Sequence, residues 1–221
     1  MGEYFRWVNI DKKEYLLPSD FNHGSKSHES LHKNNSFLCA LFEMLATQWC
    51  GDHIIFIGDE GNISTNTPSP ILQRLEHQAS PGHYFDYICD NYRNISCLFK
   101  DAENIVRESI ADYLVDLQNN HPYADVNEYG IDINDPFVGL FQKSGMHIRY
   151  IINRTKRVYY CQDTTKILYK DGGICDYADP LPILMSFGRS VMAGEWLGDI
   201  IDVSNEIPQN YSFLEEINLN W

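Results

Sequence analysis

The sequence predicts an α+β fold in which two diverged copies of one hairpin–helix–strand unit pack as a single domain, with a helical segment inserted between them. Three observations lead to this prediction: an Asn-x-x-Lys motif occurs twice, a Trp-x-Gly-Asp motif occurs twice, and the stretch between the copies changes to helix-like periodicity. The predicted units are a first α/β unit over residues 1–60, a helical acidic insertion over 61–140, and a second α/β unit over 141–221.

The first shared motif predicts a β-hairpin in each copy. Residues that favour strands lead into Asn9 and into Asn153, a polar stretch containing Lys12 or Lys156 follows, and a tyrosine then resumes the extended pattern. Asn is the residue expected where a hairpin turn needs a positive φ, which places each turn at Asn-x-x-Lys.

The second shared motif is Trp-x-Gly-Asp-x-Ile, found at residues 49–54 and 196–201. Asn9 precedes Trp49 by 40 residues, and Asn153 precedes Trp196 by 43. The same order at nearly the same spacing argues against coincidence and favours an internal duplication.

A helix and a strand complete each predicted unit. Ser36 can cap a helix that runs from Phe37 to Trp49, and Asp179-Pro180 can cap one that starts at Leu181. Glycines 51 and 198 suit the turn that leaves each helix. Short buried strands then follow at 53–57 and 200–203.

The insertion between the units is helix-like and acidic. Helices are expected at 68–78, 83–92 and 97–117, the last with one broad apolar face. From Asp101 to Asp135, nine carboxylates stand against one arginine. Alternating apolar residues at 217–221 predict a closing strand.

The paired motifs resemble a widespread, poorly characterised family of bacterial and protist proteins that carries the same two motifs twice. The resemblance covers most of both copies and implies no established activity. Relatives often have a glycine-rich stretch before the second Trp, of which only Gly188 and Gly194 stand here.

Composition narrows the class of protein. A formal net charge of -14 repels nucleic-acid phosphate and anionic lipid, so a basic protein is the expected partner. No apolar run is long enough to span a bilayer, the first residues lack a signal peptide, and the six cysteines form no Cys-x-x-Cys pair. We therefore expect a cytoplasmic chain with reduced, mostly buried thiols, no cofactor and no metal; the sequence leaves its oligomeric state open.

Several residue groups have both a functional and a structural interpretation. Asp52 and Asp199 could converge as a catalytic pair, although an Asp after Gly more often stabilises a turn. The two Asn–Lys turns could bind an anion, but hairpin chemistry already explains the asparagines. The histidines at 23, 28 and 32 favour a polar loop over a metal site, and the calcium-like loop that starts at Asp125 lacks its closing Glu.

The best functional hypothesis is a non-catalytic acidic module, such as an immunity-type or inhibitor protein, that docks a basic partner. The alternative is an enzyme with a site between the two copies that uses Asp52 and Asp199. A third hypothesis is a self-associating scaffold with Trp49 or Trp196 partly exposed. The residues predicted to face a basic partner are Glu108, Asp112, Asp116, Asp125, Glu128 and Asp132.

Overall fold

The fold is mixed α+β, with several sheets and few helices among the residues described by the computed structural model. Those residues are 2–21, 24–33, 35–61, 69–80, 82–96, 99, 148–191 and 193–219. The predicted helix at 97–117, the calcium-like loop and the six predicted partner-facing carboxylates lie outside them, apart from Phe99.

The first sheet has five strands, and its centre is the predicted hairpin. The strands, in spatial order, are β4 (Arg93–Asn94), β2 (Glu14–Leu16), β1 (Phe5–Asn9), β3 (Ile54–Gly58) and β8 (Ser186–Phe187). Strands β1 and β2 pair antiparallel with Asn9 opposite Glu14, and β3 pairs antiparallel with the other side of β1. Two short strands extend the sheet in parallel, β4 beside β2 and β8 beside β3.

The second sheet has four strands around a second hairpin. In spatial order the strands are β10 (Ser212–Phe213), β6 (Val158–Cys161), β5 (Tyr150–Asn153) and β9 (Ile201–Ser204). Strands β5 and β6 pair antiparallel with Asn153 opposite Val158, and β9 pairs antiparallel with β5. A separate parallel pair joins β7 (Lys166–Tyr169) to β11 (Glu216–Leu219), which confirms a strand near the predicted closing position.

The helices begin and end differently from their predicted bounds. Helix α1 (Ser36–Ala46) is capped by Asn35, whose Oδ1 accepts a hydrogen bond from the Leu38 N–H at 2.8 Å, and it ends before Trp49. Helices α2 (Pro70–Gln78) and α3 (Tyr84–Asn91) lie close to the helices predicted at 68–78 and 83–92. Helix α4 (Leu181–Leu184) is a single turn, because the chain enters β8 directly after it.

Short 3-10 helices lie within the polar stretch between β2 and α1. They span Pro18–Phe21 and Glu29–Leu31, and His28 directly precedes the second of them. The predicted polar loop is therefore partly helical in this region.

One large buried cluster contains side chains from both predicted units. Trp7, Phe37 and Trp49 lie in the same cluster as Tyr160 and Trp196. Strand β8 adds to the first sheet, and α1 packs against β9 of the second sheet. Both motif tryptophans are buried, at 0% and 3% exposure, so the prediction of a partly exposed tryptophan anchor is wrong.

A second buried cluster forms where α2 and α3 cover the outer face of the first sheet. Val8, Ile10 and Ile55 of the sheet region pack there with Leu72 and Ile88 of the helices. The apolar faces of α2 and α3 are therefore used within the fold.

The cysteines are less buried than predicted. Five described cysteines are free thiols, of which Cys161 and Cys175 are buried and Cys39 is intermediate, whereas Cys50 and Cys89 are exposed. The exposed pair lies where the chain leaves α1 and on α3, positions that face solvent.

Candidate functional site

The first Asn-x-x-Lys turn forms a closed network with the first Trp-x-Gly-Asp motif. Asn9 Nδ2 donates to Asp52 Oδ2 at 2.8 Å, and Asn9 Oδ1 accepts the Lys12 backbone N–H at 2.9 Å. The Lys12 ammonium lies 2.8 Å from the same Asp52 oxygen and also donates to the Gln48 carbonyl. One buried asparagine thus links the hairpin turn to the aspartate.

The second turn makes the corresponding contacts. Asn153 Nδ2 donates to Asp199 Oδ2 at 2.8 Å, and Asn153 Oδ1 accepts the Lys156 backbone N–H at 2.8 Å. The Lys156 ammonium lies 3.3 Å from Asp199 Oδ2. Each aspartate is therefore bonded to the amide and the ammonium of its own hairpin.

The backbone φ angles of the two turns and of the two Trp-x-Gly-Asp motifs also match. Gly51 and Gly198 both adopt φ +81°, which glycine adopts without steric cost. The residue with positive φ in each hairpin turn is Lys13 or Arg157, both at 56°, and not the preceding asparagine. The prediction that Asn supplies the positive φ is wrong, because its amide instead caps the turn from the end of the strand.

These contacts limit the chemistry available to Asp52 and Asp199. Each carboxylate already accepts a hydrogen bond and pairs with a lysine, and among the described contacts none joins one carboxylate to the other. General acid–base catalysis needs a carboxylate free to exchange a proton with a substrate. The catalytic pair of Asp52 and Asp199 therefore stays a prediction, and no described contact brings the two carboxylates into one site.

The same contacts bear on the predicted anion site. Lys12 and Lys156 are both paired with carboxylates, so an incoming anion would have to compete with Asp52 or Asp199. Asn9 and Asn153 are fully buried and use their amide groups within the turns. The four residues therefore have structural roles that explain their presence.

The two motifs meet at an antiparallel bridge between His53 and Ile200, and an Asp–His–Arg cluster lies beside it. Asp11 Oδ2 accepts a hydrogen bond from the His53 backbone N–H at 2.8 Å. The same oxygen is hydrogen-bonded to His53 Nδ1, also at 2.8 Å. Arg74 of α2 donates to Asp11 Oδ1 at 3.0 Å. Partial burial acts to raise the pKa of Asp11, but the bonds from His53 and Arg74 outweigh it and lower that pKa.

The corresponding position of the second turn is simpler. Thr155 Oγ1 accepts the Ile200 N–H at 3.0 Å, the same bond that Asp11 accepts from the His53 backbone. Among the described contacts, Thr155 has no counterpart of the His53 imidazole or of the Arg74 guanidinium that bond to Asp11. Sequence reasoning missed this cluster, although a usable signal was present: the motif residue after Asp is His in one copy and Ile in the other.

The other side of the junction carries a second polar group. Arg154 pairs with Asp202, and the Cys50 thiol donates to Asp202 Oδ1 at 3.4 Å. Cys50 is exposed, but partial desolvation of its sulfur first, and then the bond to Asp202, raise the pKa of the thiol. A raised pKa disfavours the thiolate, which is the nucleophilic form.

Within the part of the chain that the structure describes, no group of three or more His, Cys, Asp or Glu side chains is arranged to hold a metal ion. No described helix combines the length and apolar character needed to cross a membrane.

Comparison with known proteins adds no relative: no family model matches the chain, and neither the curated proteins nor the solved structures give a significant match.

Proposed function

We propose that the chain is a non-catalytic, acidic protein-binding module that docks a positively charged protein, most concretely as an immunity-type or inhibitor protein. The observation that carries the proposal is the net charge of -14, with nine carboxylates against one arginine between Asp101 and Asp135. Complementary charge accelerates encounter and selects among partners. A basic cleft that binds nucleic-acid phosphate is one surface that such a protein can block.

The contacts of the paired motifs support a binding function over catalysis. Their asparagines, lysines and aspartates bond to one another within each turn. Residues used in this way hold the fold and leave recognition to other surfaces. On this proposal the motifs form the scaffold, and the acidic segment supplies the recognition.

We also propose that the scaffold arose by duplication of one hairpin–helix–strand unit and that residues 61–140 are an insertion between the copies. The duplication is supported by the matching contacts of asparagine, aspartate and lysine in the two motifs. It is also supported by the equal φ angles of Gly51 and Gly198. Helices α2 and α3 support the helical character of the insertion. The resemblance to proteins that carry both motifs twice, and a cytoplasmic location, belong to the same proposal.

The test is recovery and characterisation of the partner. The purified chain is immobilised, exposed to extract from its source organism, and eluted with a salt gradient. We expect a basic protein that elutes with rising salt, because screening weakens pairing between surface charges. The purified partner must then bind the chain in solution. Acidic or neutral partners, or retention unaffected by salt, would contradict the proposal.

An enzyme with a site at the junction of the two motifs is the second candidate, and the Asp11–His53 bond is the observation that favours it. A carboxylate that holds His Nδ1 fixes the ring and leaves Nε2 for proton transfer. A screen with hydrolase substrates tests this candidate. Turnover that is lost in a folded His53→Gln variant would favour the enzyme over the binding module.

A further inference from the structure

Arg6 is a buried cation that reaches none of the described carboxylates. It lies on β1 with 9% exposure, and its guanidinium carbon sits 3.8 Å from the Phe85 ring centroid and 5.0 Å from the Tyr15 ring centroid. Five other described arginines pair with carboxylates. Those five are Arg74, Arg93, Arg149, Arg154 and Arg189.

The hydrogen-bond acceptor that Arg6 does reach is a thiol. Arg6 Nη1 lies 3.1 Å from the Sγ of Cys89, which is an exposed cysteine on α3. The Nε of Arg6 is buried and has no hydrogen-bond partner. One face of the sulfur is therefore against a buried cation, and the other is open to solvent.

A buried charge is costly unless an opposite charge lies beside it. The two aromatic rings contribute cation–π attraction, but they carry no net charge. We propose that Cys89 supplies the missing anion as a thiolate paired with Arg6, and that it is a site of reversible oxidation by peroxides. This inference is independent of the proposed docking function.

The oxidation step balances with a peroxide as the oxidant. The thiolate sulfur attacks one oxygen of hydrogen peroxide, an S–O bond forms, and the O–O bond breaks. Sulfur loses two electrons to become a sulfenic acid, in which it carries the OH group that it attacked, and the other oxygen leaves as hydroxide, which the buffer neutralises. The guanidinium can remain bonded to the oxidised group through Nη1, which lies 3.1 Å from the sulfur.

Carboxylates also lie near the Cys89 thiol. Asp86 and Asp90 are exposed on the same helix, and Asp20 lies close enough to act electrostatically on Tyr15. Asp86 is 3.5 Å from His83, and water screens both helix carboxylates. The Arg6 guanidinium is buried and in direct contact with the sulfur, so water screens its charge less than it screens those carboxylates.

The chain contains its own control, because Cys50 is also exposed but lies against Asp202. The folded protein is treated at pH 7 with a limiting amount of iodoacetamide, and the two cysteine peptides are quantified by mass spectrometry. We expect Cys89 to react about tenfold faster than Cys50, because the thiolate is the reacting form. In denaturant the two rates should converge.

Peroxide reactivity and the role of Arg6 are tested separately. Hydrogen peroxide with dimedone should label Cys89 in the wild type and leave Cys50 largely unlabelled. Arg6→Met should lower the alkylation rate of Cys89 toward that of Cys50, whereas Arg6→Lys should retain part of the difference. Equal rates for Cys89 and Cys50 in the folded wild-type chain would overturn the proposal, and that comparison does not depend on any variant folding.

Discussion

Asn153 shows how much of this molecule depends on a single side chain. It is fully buried and uses its amide nitrogen for Asp199 and its amide oxygen for the Lys156 backbone N–H. Without it, a mostly buried carboxylate and a turn N–H would both lose a partner. Asn9 has the same role in the first turn.

We predict that Asn153→Ala lowers the free energy of unfolding by about 2 to 4 kcal/mol, since two hydrogen bonds are lost and one of them is to a charged group. Urea unfolding followed by circular dichroism measures the change. Lys166→Ala is the control, because it removes an exposed ion pair with Glu216 and should cost under about 1 kcal/mol. Equal losses for the two variants would contradict the assigned role of Asn153.

Asp179 is the buried carboxylate whose titration should be measurable. It accepts hydrogen bonds from the Tyr160 hydroxyl and Gln162 Nε2, both at 2.6 Å, and from the Leu181 N–H at 2.9 Å. Burial raises its pKa above the usual range, and these bonds only partly offset that effect. The folded state therefore holds this proton more tightly than the unfolded state does.

The sign of the pH effect follows from that difference. The contribution of Asp179 to stability is fully present below its usual pKa and is lost as pH rises through the raised folded-state pKa. Asp179→Asn does not titrate, so the stability of wild type relative to the variant should fall as the pH rises above the usual aspartate range. Urea unfolding of both proteins at each pH measures it. A relative stability that rises with pH would contradict the prediction.

At the scale of elements, the turns after the two tryptophans form a matched pair of tests. Gly51 and Gly198 share φ +81°, but their surroundings differ. A Cβ on Gly51 would meet only Arg154 Nη1 at 3.8 Å, whereas a Cβ on Gly198 would lie 2.7 Å from Ile71 Cγ2. The first contact is ordinary, and the second requires atoms to move.

We predict that Gly51→Ala costs about 1 to 2 kcal/mol of stability, which is the backbone penalty of a left-handed conformation. Gly198→Ala should cost at least about 1 kcal/mol more, because overpacking adds to the same penalty. Thermal and urea unfolding of the two variants provide the comparison. A larger loss for Gly51→Ala than for Gly198→Ala would contradict the closer packing around Gly198.

The sequence predicted the elements that have long or repeated patterns. Both hairpins, the strands after the Trp-x-Gly-Asp motifs and helices α1, α2 and α3 were expected near their observed positions. The cap of α1 was assigned one residue late, because Asn35 and Ser36 are both good caps and only geometry decides between them. Strands β4, β8 and β10 have two residues each, too few for any periodicity.

The candidate site was less predictable than the fold. The repeated asparagines, lysines and aspartates were found from the sequence, but their pairing within each turn depends on three-dimensional contacts between residues about 40 positions apart. The Arg6–Cys89 contact joins β1 to α3 across 83 residues and carries no sequence motif. Asp11 and His53 were visible only as a difference between the two motifs.

At the scale of the whole molecule, the core of the described residues and the acidic stretch of the chain have different assigned roles. Side chains from both ends of the chain share one core, and the paired motifs hold the two hairpins to it. The charge of the chain is strongly one-sided, and its densest acidic stretch, 101–135, contains one arginine. Self-repulsion of that density opposes stability, which is why we assign it a role in recognition.

The most direct test of that role compares two charge-neutralised variants with the same net charge. One carries Glu108→Gln, Asp112→Asn and Asp116→Asn in the acidic segment. The other carries Asp176→Asn, Glu195→Gln and Glu206→Gln, three exposed carboxylates of the described chain. Association rates with the recovered basic partner are measured by stopped flow at low and at physiological salt. We predict that the first variant associates more slowly than the second and with a weaker salt dependence. Equal rates for both variants and the wild type would contradict docking through the acidic segment.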